Sequence, residues 1–325
     1  MSDLKFTAAF GNYDRTAPLR SGAVKPDGID LRVLTMQPTE IFTRMIRYQE
    51  FEVSEMSMGA HLNLIGLGES PFVAMPAFPS RVFRHSMVYA NVDAGIERPE
   101  DLNGKRIAIQ EWGMTAMLWI VGILTEEYGF DANSVEWMAA LPPRASIRMP
   151  EGAKCRYMEA DENLSNLLES GAVDAALIHQ VPRCFAEGSP RVKRVFSDFK
   201  AAEIDYYRRT GSHPIMHCVV LRRDVYECAP WALRNIYTAM CEAREIAMHA
   251  LLDNGALSAM VPLLPALVEE SRQIFGANFW PYGVKANRKT LENLLLYAHQ
   301  QGLTPRRLAV KEVFGENVLE ERSNE

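Results

Sequence analysis

Four arginines, Arg15, Arg81, Arg84 and Arg183, each fall just beyond a segment that reads as a β-strand. A guanidinium fork matches a carboxylate through two parallel hydrogen bonds, so this set points to a ligand carrying carboxylates. The reading for any single arginine competes with a simple one: it is solvated, or paired with Asp14, Glu55 or Glu111. Met114 and Thr115 open a helix after a strand, adding free backbone N–H groups and a positive dipole end. Tyr13, Trp112 and nearby methionines are suited to cover an aromatic ring. His85 stands out among the histidines, because it lies between Arg84 and Ser86 where a loop meets a strand. Neighbouring cations favour its neutral form, and a nearby Glu55 would oppose them. A hydrogen-bonded structural histidine is the competing reading. His179 and His217 have weaker claims, and His61, His249 and His299 sit in helix patterns.

Several familiar chemistries are missing. The chain has no GxGxxG after a strand and no GxxxxGK[ST], which removes dinucleotide and P-loop readings. It has no HExxH, no Asp-rich calcium loop and no GxSxG. His85, Glu55 and His217 could converge on a metal, but nothing at local spacing asks for one. The five cysteines are odd in number, scattered, and form no CxxC, so reduced thiols are expected.

Short apolar runs alternate with helix-period segments. Lys5–Phe10, Ile29–Met36, Phe51–Met56, Phe72–Phe78, Met87–Ala90, Arg106–Gln110, Arg156–Glu159, Ala175–His179 and His217–Leu221 read as strands. Thr39–Tyr48, Met114–Tyr128 and Glu162–Glu169 read as helices, and Gly129 and Gly171 fall at C-cap positions. This order predicts an α/β protein with mainly parallel pairing. Phe42, Met45, Ile46, Phe51 and Val53 echo Leu164, Leu167, Leu168, Val173 and Ala175, with Glu52 opposite Asp174. Two lobes built on one plan would give this echo, and so would chance likeness of two helix–strand units. After Leu221 only helix patterns follow: Pro230–Leu252, Leu267–Phe275 and Lys285–Gln301. Ser86–Asn91 and Met216–Leu221 are the candidate crossings between lobes. Ligands in open α/β sheets sit beyond strand carboxyl ends, which is where the residues above fall.

Composition sets the wider bounds. The chain has 325 residues, 48% hydrophobic and 23% charged, which suits a folded protein of about two domains. With 35 Lys+Arg against 41 Asp+Glu the net charge is −6, so neither nucleic acid nor an anionic membrane is an expected partner. No apolar run reaches the length of a membrane span, and Met1–Phe10 does not read as a secretory signal. A cytoplasmic protein is expected, with a homo-oligomer left open.

The strings GNYDRTAPLRSGAVKPDGIDL (Gly11–Leu31), FTRMIRYQEFEVSEMSMGAHL (Phe42–Leu62) and FPSRVFRHSMVYAN (Phe78–Asn91) resemble the 4,5-dihydroxyphthalate decarboxylase family. So do the stretches Gly95–Gly129, Tyr206–Trp231 and Phe279–Glu292. The resemblance runs along nearly the whole chain, and Ala139–Lys154 is its least familiar part. It implies a two-lobed fold like the type II periplasmic binding proteins, each lobe a mixed sheet flanked by helices. One lobe would hold residues 1–88 and 217–325, and the other residues 89–216.

The resemblance also implies a carboxy-lyase converting 4,5-dihydroxyphthalate to protocatechuate and CO2. Each carboxylate of that substrate is para to a hydroxyl, which pushes electron density toward the carbon bearing the carboxylate. Protonation there releases CO2 as aromaticity returns, and the ring itself is the electron source, so no organic cofactor is required. The expected catalytic residues are His85, as proton donor, and Glu55, to orient it or take a phenolic proton. Arg15, Arg81, Arg84 and Arg183 would bind carboxylates, Tyr13, Ser57 and Thr115 would hold oxygens, and Trp112 and His217 complete the substrate set. The alternatives are another enzyme of this fold acting on a different aromatic carboxylate, or a solute-binding protein for an aromatic acid.

Overall fold

The computed structural model describes residues 3–142 and 154–319. Most of the unfamiliar Ala139–Lys154 stretch therefore lies outside the described residues. The strands are β1 (Leu4–Phe10), β2 (Ile29–Thr35), β3 (Val53–Ser57), β4 (Phe72–Arg81), β5 (Val88–Asn91) and β6 (Arg106–Glu111). They continue with β7 (Glu136–Leu141), β8 (Lys154–Tyr157), β9 (Ala175–Leu177), β10 (Val192–Arg194) and β11 (Ile215–Arg222). The helices are α1 (Ala17–Ser21), α2 (Pro38–Tyr48), α3 (Met58–Gly66), α4 (Thr115–Tyr128), α5 (Leu164–Ser170) and α6 (Arg183–Ala186). After them come α7 (Phe199–Thr210), α8 (Arg223–Cys228), α9 (Pro230–Leu252), α10 (Leu264–Phe275) and α11 (Val284–Gln300).

Two sheets form, in the orders β2-β1-β3-β11-β4 and β10-β5-β9-β6-β7-β8. Pairing is parallel from β2 through β3 and from β9 through β8. The expectation of mainly parallel sheets needs one correction, the same in both. β11 runs antiparallel between β3 and β4, and β5 runs antiparallel between β9 and β10. These are the strands that follow the two crossings of the chain, where it enters each sheet from the other side. Two strands escape the sequence pattern. Val192–Arg194 is three residues with two charges, and Glu136–Leu141 has no β-branched residue.

The echo between the halves is structural. α2 leads into β3 and α5 into β9, and each of these strands lies between a parallel neighbour and the antiparallel one. The residue before each strand does the same work. Glu52 accepts from the Thr7 N–H on β1 at 2.8 Å, and Asp174 accepts from the Arg106 N–H on β6 at 2.8 Å.

Helix α4 joins the halves. Its residues from Thr115 to Leu124 are buried all round, as expected of a core helix rather than a surface one. Ala116, Leu118, Trp119 and Ile123 pack into the core of the first sheet and the C-terminal helices. Met117, Ile120, Val121 and Leu124 pack into the core of the second. Trp119 donates its indole N–H to the Ile215 carbonyl at 2.9 Å, tying α4 to the start of β11.

Gly122 lets α11 approach α4. A Cβ at this position would lie 2.3 Å from the Tyr297 ring, a distance that forces the ring to move. Gly122→Ala is therefore expected to destabilise the protein by roughly 1–3 kcal/mol through overpacking. Urea unfolding checks this, and Tyr297→Leu added to Gly122→Ala should recover part of the loss. An unchanged midpoint in the single variant would show that the contact is not tight.

Candidate active site

A cavity of about 290 Å³ opens between the two sheets, at the small end of ordinary ligand sites. Three helix N-termini converge on it: Gln37 and Pro38 of α2, Ser57 before α3, and Met114 and Thr115 of α4. The Ser57 and Thr115 hydroxyls lie 2.9 Å apart, and Thr115 Oγ1 also accepts the Gly59 N–H at 2.8 Å. Gly59 permits this meeting of α3 and α4, since a Cβ there would come within 2.7 Å of the Gly113 carbonyl. Converging N–H groups and dipole ends favour an anion.

Arg84 adds a full positive charge to the wall. It is 7% exposed, and among the described residues it has no ion-pair partner. One of its terminal nitrogens approaches Met216 Sδ at 2.8 Å, and its Nε has no hydrogen-bond partner. Burial draws its pKa down to about 10, opposed by Glu203, so the guanidinium stays charged at neutral pH.

His217 faces the same cavity from β11, where the register against β4 shifts on both sides of it. Such irregularities re-aim side chains. Its Nδ1 lies 2.5 Å from Glu55 Oε1, and the Phe42 ring packs edge-on at 4.9 Å. Glu55 is fully buried. It accepts the Tyr13 hydroxyl at 2.7 Å and the Gly11 N–H at 2.8 Å. Burial alone would raise its pKa, but the His217 charge and the three hydrogen bonds outweigh it and hold the carboxyl below its ordinary range. Burial and the Glu55 charge push the Tyr13 hydroxyl upward, so Tyr13 stays a donor. A buried carboxylate thus fixes one ring nitrogen of an imidazole that lines the cavity, the pairing that orients the histidine of a catalytic triad.

No family model matches the chain. It is 36% identical over 326 residues to the 4,5-dihydroxyphthalate decarboxylase of Comamonas testosteroni, covering 98% of this chain and 99% of that one. It is 35% identical over 214 residues to the Pseudomonas putida enzyme of the same name, covering 64% and 83%. The chain belongs to the 4,5-dihydroxyphthalate decarboxylase family. Among solved structures it is similar to the alkanesulfonate-binding protein of Xanthomonas axonopodis pv. citri, bound to MOPS, with a TM-score of 0.53 at 11% identity over 97% and 99% of the chains. The aliphatic sulphonate-binding protein of Escherichia coli gives 0.54 at 12% identity over 97% and 93%. These establish the two-lobed periplasmic-binding-protein fold for this family member.

Against that site, the expected residues divide sharply. Ser57, Arg84, Thr115 and His217 come together at the cavity, with Glu55 buried behind His217 and Tyr13 bonded to Glu55. The other three arginines do not. Arg81 is buried and donates to the Pro281 and His213 carbonyls at 3.0 and 2.8 Å, stitching β4 to later parts of the chain. Arg15 bonds the Pro79 carbonyl and Asp14, and Arg183 pairs with Glu187 on the exposed face of α6. Trp112 is buried against Trp137 and donates to the Gln301 carbonyl at 3.3 Å. His179 lines the cavity from the second sheet, as do Gln180 and Met114, while Asn63 and Ser80 line it from the first. Among these, Asn63 and Gln180 carried no sequence signal, because neither belongs to a charged or spaced pattern.

His85 is the largest correction. The short turn His85–Met87 carries its ring into the interior, among Tyr128, Phe196 and Tyr206 at centroid distances of 6.2, 5.1 and 5.4 Å. It does not line the cavity, and neither ring nitrogen has a hydrogen-bond partner. Glu55 and His217 meet, but His85 does not join them, and among the described residues no cluster of three metal-ligating side chains forms.

Burial lowers the pKa of His85 to about 4, helped by Arg209, and burial also lowers His61 to about 4. Both folded values lie below the unfolded value near 6.5. Their stability contribution is therefore complete above about pH 6.5 and is lost as pH falls toward 4, where the unfolded chain binds protons that the fold refuses. Each imidazole accounts for on the order of 3 kcal/mol over that window. His85→Phe, which suits the aromatic surroundings, should flatten the acid limb of a stability-against-pH curve measured by urea unfolding. Wild-type and variant curves that run parallel between pH 6.5 and 4 would show that His85 is not held neutral.

Proposed function

We propose that the protein decarboxylates a hydroxylated aromatic dicarboxylate, 4,5-dihydroxyphthalate above others, with His217 as proton donor and Glu55 as the group that positions it. The observation that carries this reading is the His217–Glu55 pair beside a small cavity lined by Arg84, Glu111 and three helix N-termini. The names of two relatives supply the substrate class.

In this mechanism the substrate carboxylates face Arg84 and the helix N-termini, and Ser57 and Thr115 meet its oxygens. A carboxylate para to a hydroxyl sits over the imidazole. Protonated His217 gives its proton to the ring carbon while the para oxygen supplies electron density. The bond to the carboxyl carbon then breaks, its electron pair returns to the ring, and CO2 leaves. One proton is consumed per turnover and ends on the product carbon. Glu55 stays ionised and stabilises the imidazolium before transfer, as a buried carboxylate does in hydrolytic triads.

In this reading the lobes comprise residues 1–88 with 217–325 and residues 89–216, and substrate binds between them. The compartment we assign is the cytoplasm, supported by five free cysteines. No helix among the described residues is long and apolar enough to cross a membrane.

Incubation with 4,5-dihydroxyphthalate, following CO2 and the product spectrum, tests the activity. His217→Asn should bind substrate yet lose about 10²–10⁴-fold in turnover, the usual contribution of a general acid. Product formed in heavy water should carry deuterium at the carbon that lost CO2. His85→Phe should turn over at near the wild-type rate. Near-normal turnover in His217→Asn would remove it as the donor. Arg84→Met should raise KM by about ten-fold or more, as expected for a lost charged hydrogen bond. An unchanged KM would remove Arg84 from the carboxylate site.

A further inference from the structure

A second cavity, of about 420 Å³, lies against α7, α9 and α10 and shares no lining residue with the first. It backs onto both crossings of the chain. Phe83, just before the first crossing, stacks on His213, just before β11, at 4.6 Å. Phe275 and Trp280 pack on His213 at 5.7 and 5.5 Å and complete an aromatic wall. Phe83 lines this cavity, whereas the next residue, Arg84, lines the other. Met248, Leu251 and Ile274 add aliphatic surface to the cavity that Phe83 lines.

Charge in this cavity is mostly neutralised within the protein. Lys200 pairs with Glu270 at 2.8 Å, Arg15 pairs with Asp14 at 2.9 Å, and Glu203 accepts the Ser86 N–H at 3.2 Å. Arg244 is ion-paired too, but its guanidinium is the least completely satisfied of these groups. It is 9% exposed, and its buried Nε has no hydrogen-bond partner. One terminal nitrogen reaches the Trp280 carbonyl only at 3.4 Å, and the other pairs with Glu245 at 3.1 Å. Arg15 lies over the Trp280 ring at 4.5 Å and Arg244 reaches the backbone carbonyl of the same residue, so two guanidiniums meet at Trp280. A buried donor left unmade is costly, and a carboxylate is the group a guanidinium satisfies best.

We propose that this cavity is a second small-molecule site, for a monocarboxylate with an apolar body, held by Arg244 and packed on the Phe83–His213–Trp280 wall. Its ligand is set apart from the proposed substrate by the aromatic and aliphatic side chains that make up much of the lining. The site does not depend on the decarboxylase reading, and its test is a binding measurement.

Octanoate is the probe and octanamide the uncharged control, both titrated calorimetrically into the full-length protein. Wild type should bind one octanoate and bind octanamide at least about ten-fold more weakly, the size expected for a charged hydrogen bond. Arg244→Met and Ser271→Trp, the second filling the cavity from α10 without touching Arg244's partners, should each lose at least about ten-fold in octanoate affinity. Arg84→Met, on the other cavity, should bind octanoate as wild type does. Equal affinity for octanoate and octanamide, wild-type affinity in Ser271→Trp, or loss of binding in Arg84→Met would each overturn the proposal. So would the absence of octanoate binding to wild type. Ser271 lies on the helix surface, so that variant keeps the test alive should Arg244→Met fail to fold.

Discussion

A carboxylate with no access to water has to be paired, and Glu55 is fully buried. Its three partners come from two places in the chain: the Gly11 N–H and the Tyr13 hydroxyl just after β1, and His217 on β11. Satisfying this charge therefore specifies how β1, β3 and β11 are arranged at their cavity-facing ends. Breaking any of these bonds would leave a buried charge underpaired, the expensive case for an ionised group. The same constraint orients His217. Structure and proposed chemistry thus depend on one interaction, and a substitution of Glu55 acts on both at once.

Repetition explains the rest of the frame. Glu52 and Asp174 pin equivalent strands by the same backbone contact, 122 positions apart. Each half then receives its antiparallel strand from a crossing, β5 in one and β11 in the other. The site arises where the plan of the two halves is broken by unlike residues: Glu55 on β3 has Leu177 at the echoed position on β9. One half supplies the charge pair, and the other supplies the start of α4 and His179.

Much of this was legible in the sequence because it rests on local rules. Strand alternation, Gly129 as a helix stop and the change of texture after Leu221 all follow from patterns within a few residues. The cavity members Ser57, Arg84 and Thr115, and Glu55 behind them, followed from their places beyond strand ends. The roles of His85 and His217 did not follow. Both precede or open a crossing strand, and what separates them is direction: a short turn carries His85 inward among three aromatic rings, while a register shift aims His217 at Glu55. Neither turn nor shift has a sequence signature here. Arg81 was misread for a related reason. Arg81 serves two backbone carbonyls more than a hundred residues away in sequence, and a long-range carbonyl partner is invisible to charge counting.

Helix α4 limits how the lobes can move. Its two faces are packed into two cores, and its Trp119 is bonded to the start of β11. A rigid rotation of one sheet about the crossings would expose apolar surface on one side of α4, at about 25 cal/mol for each Å². Any closure over substrate must therefore carry α4 with one lobe and slide it along the other, or be confined to side chains and loops at the cavity rim. Gly59 and Gly122 bear on this choice, since each sets how closely α4 meets a neighbour of the first lobe. The second cavity lies behind the crossings, against α7, α9 and α10, away from α4. Its wall reaches the charge pair by a short path: Trp280 carries Arg15, Arg15 lies over Tyr13 at 4.3 Å, and Tyr13 holds Glu55. With α4 resisting large rotations, this chain of rings and guanidinium is one physical link between the back of the crossings and the imidazole at the front, beside the adjacent pair Phe83 and Arg84.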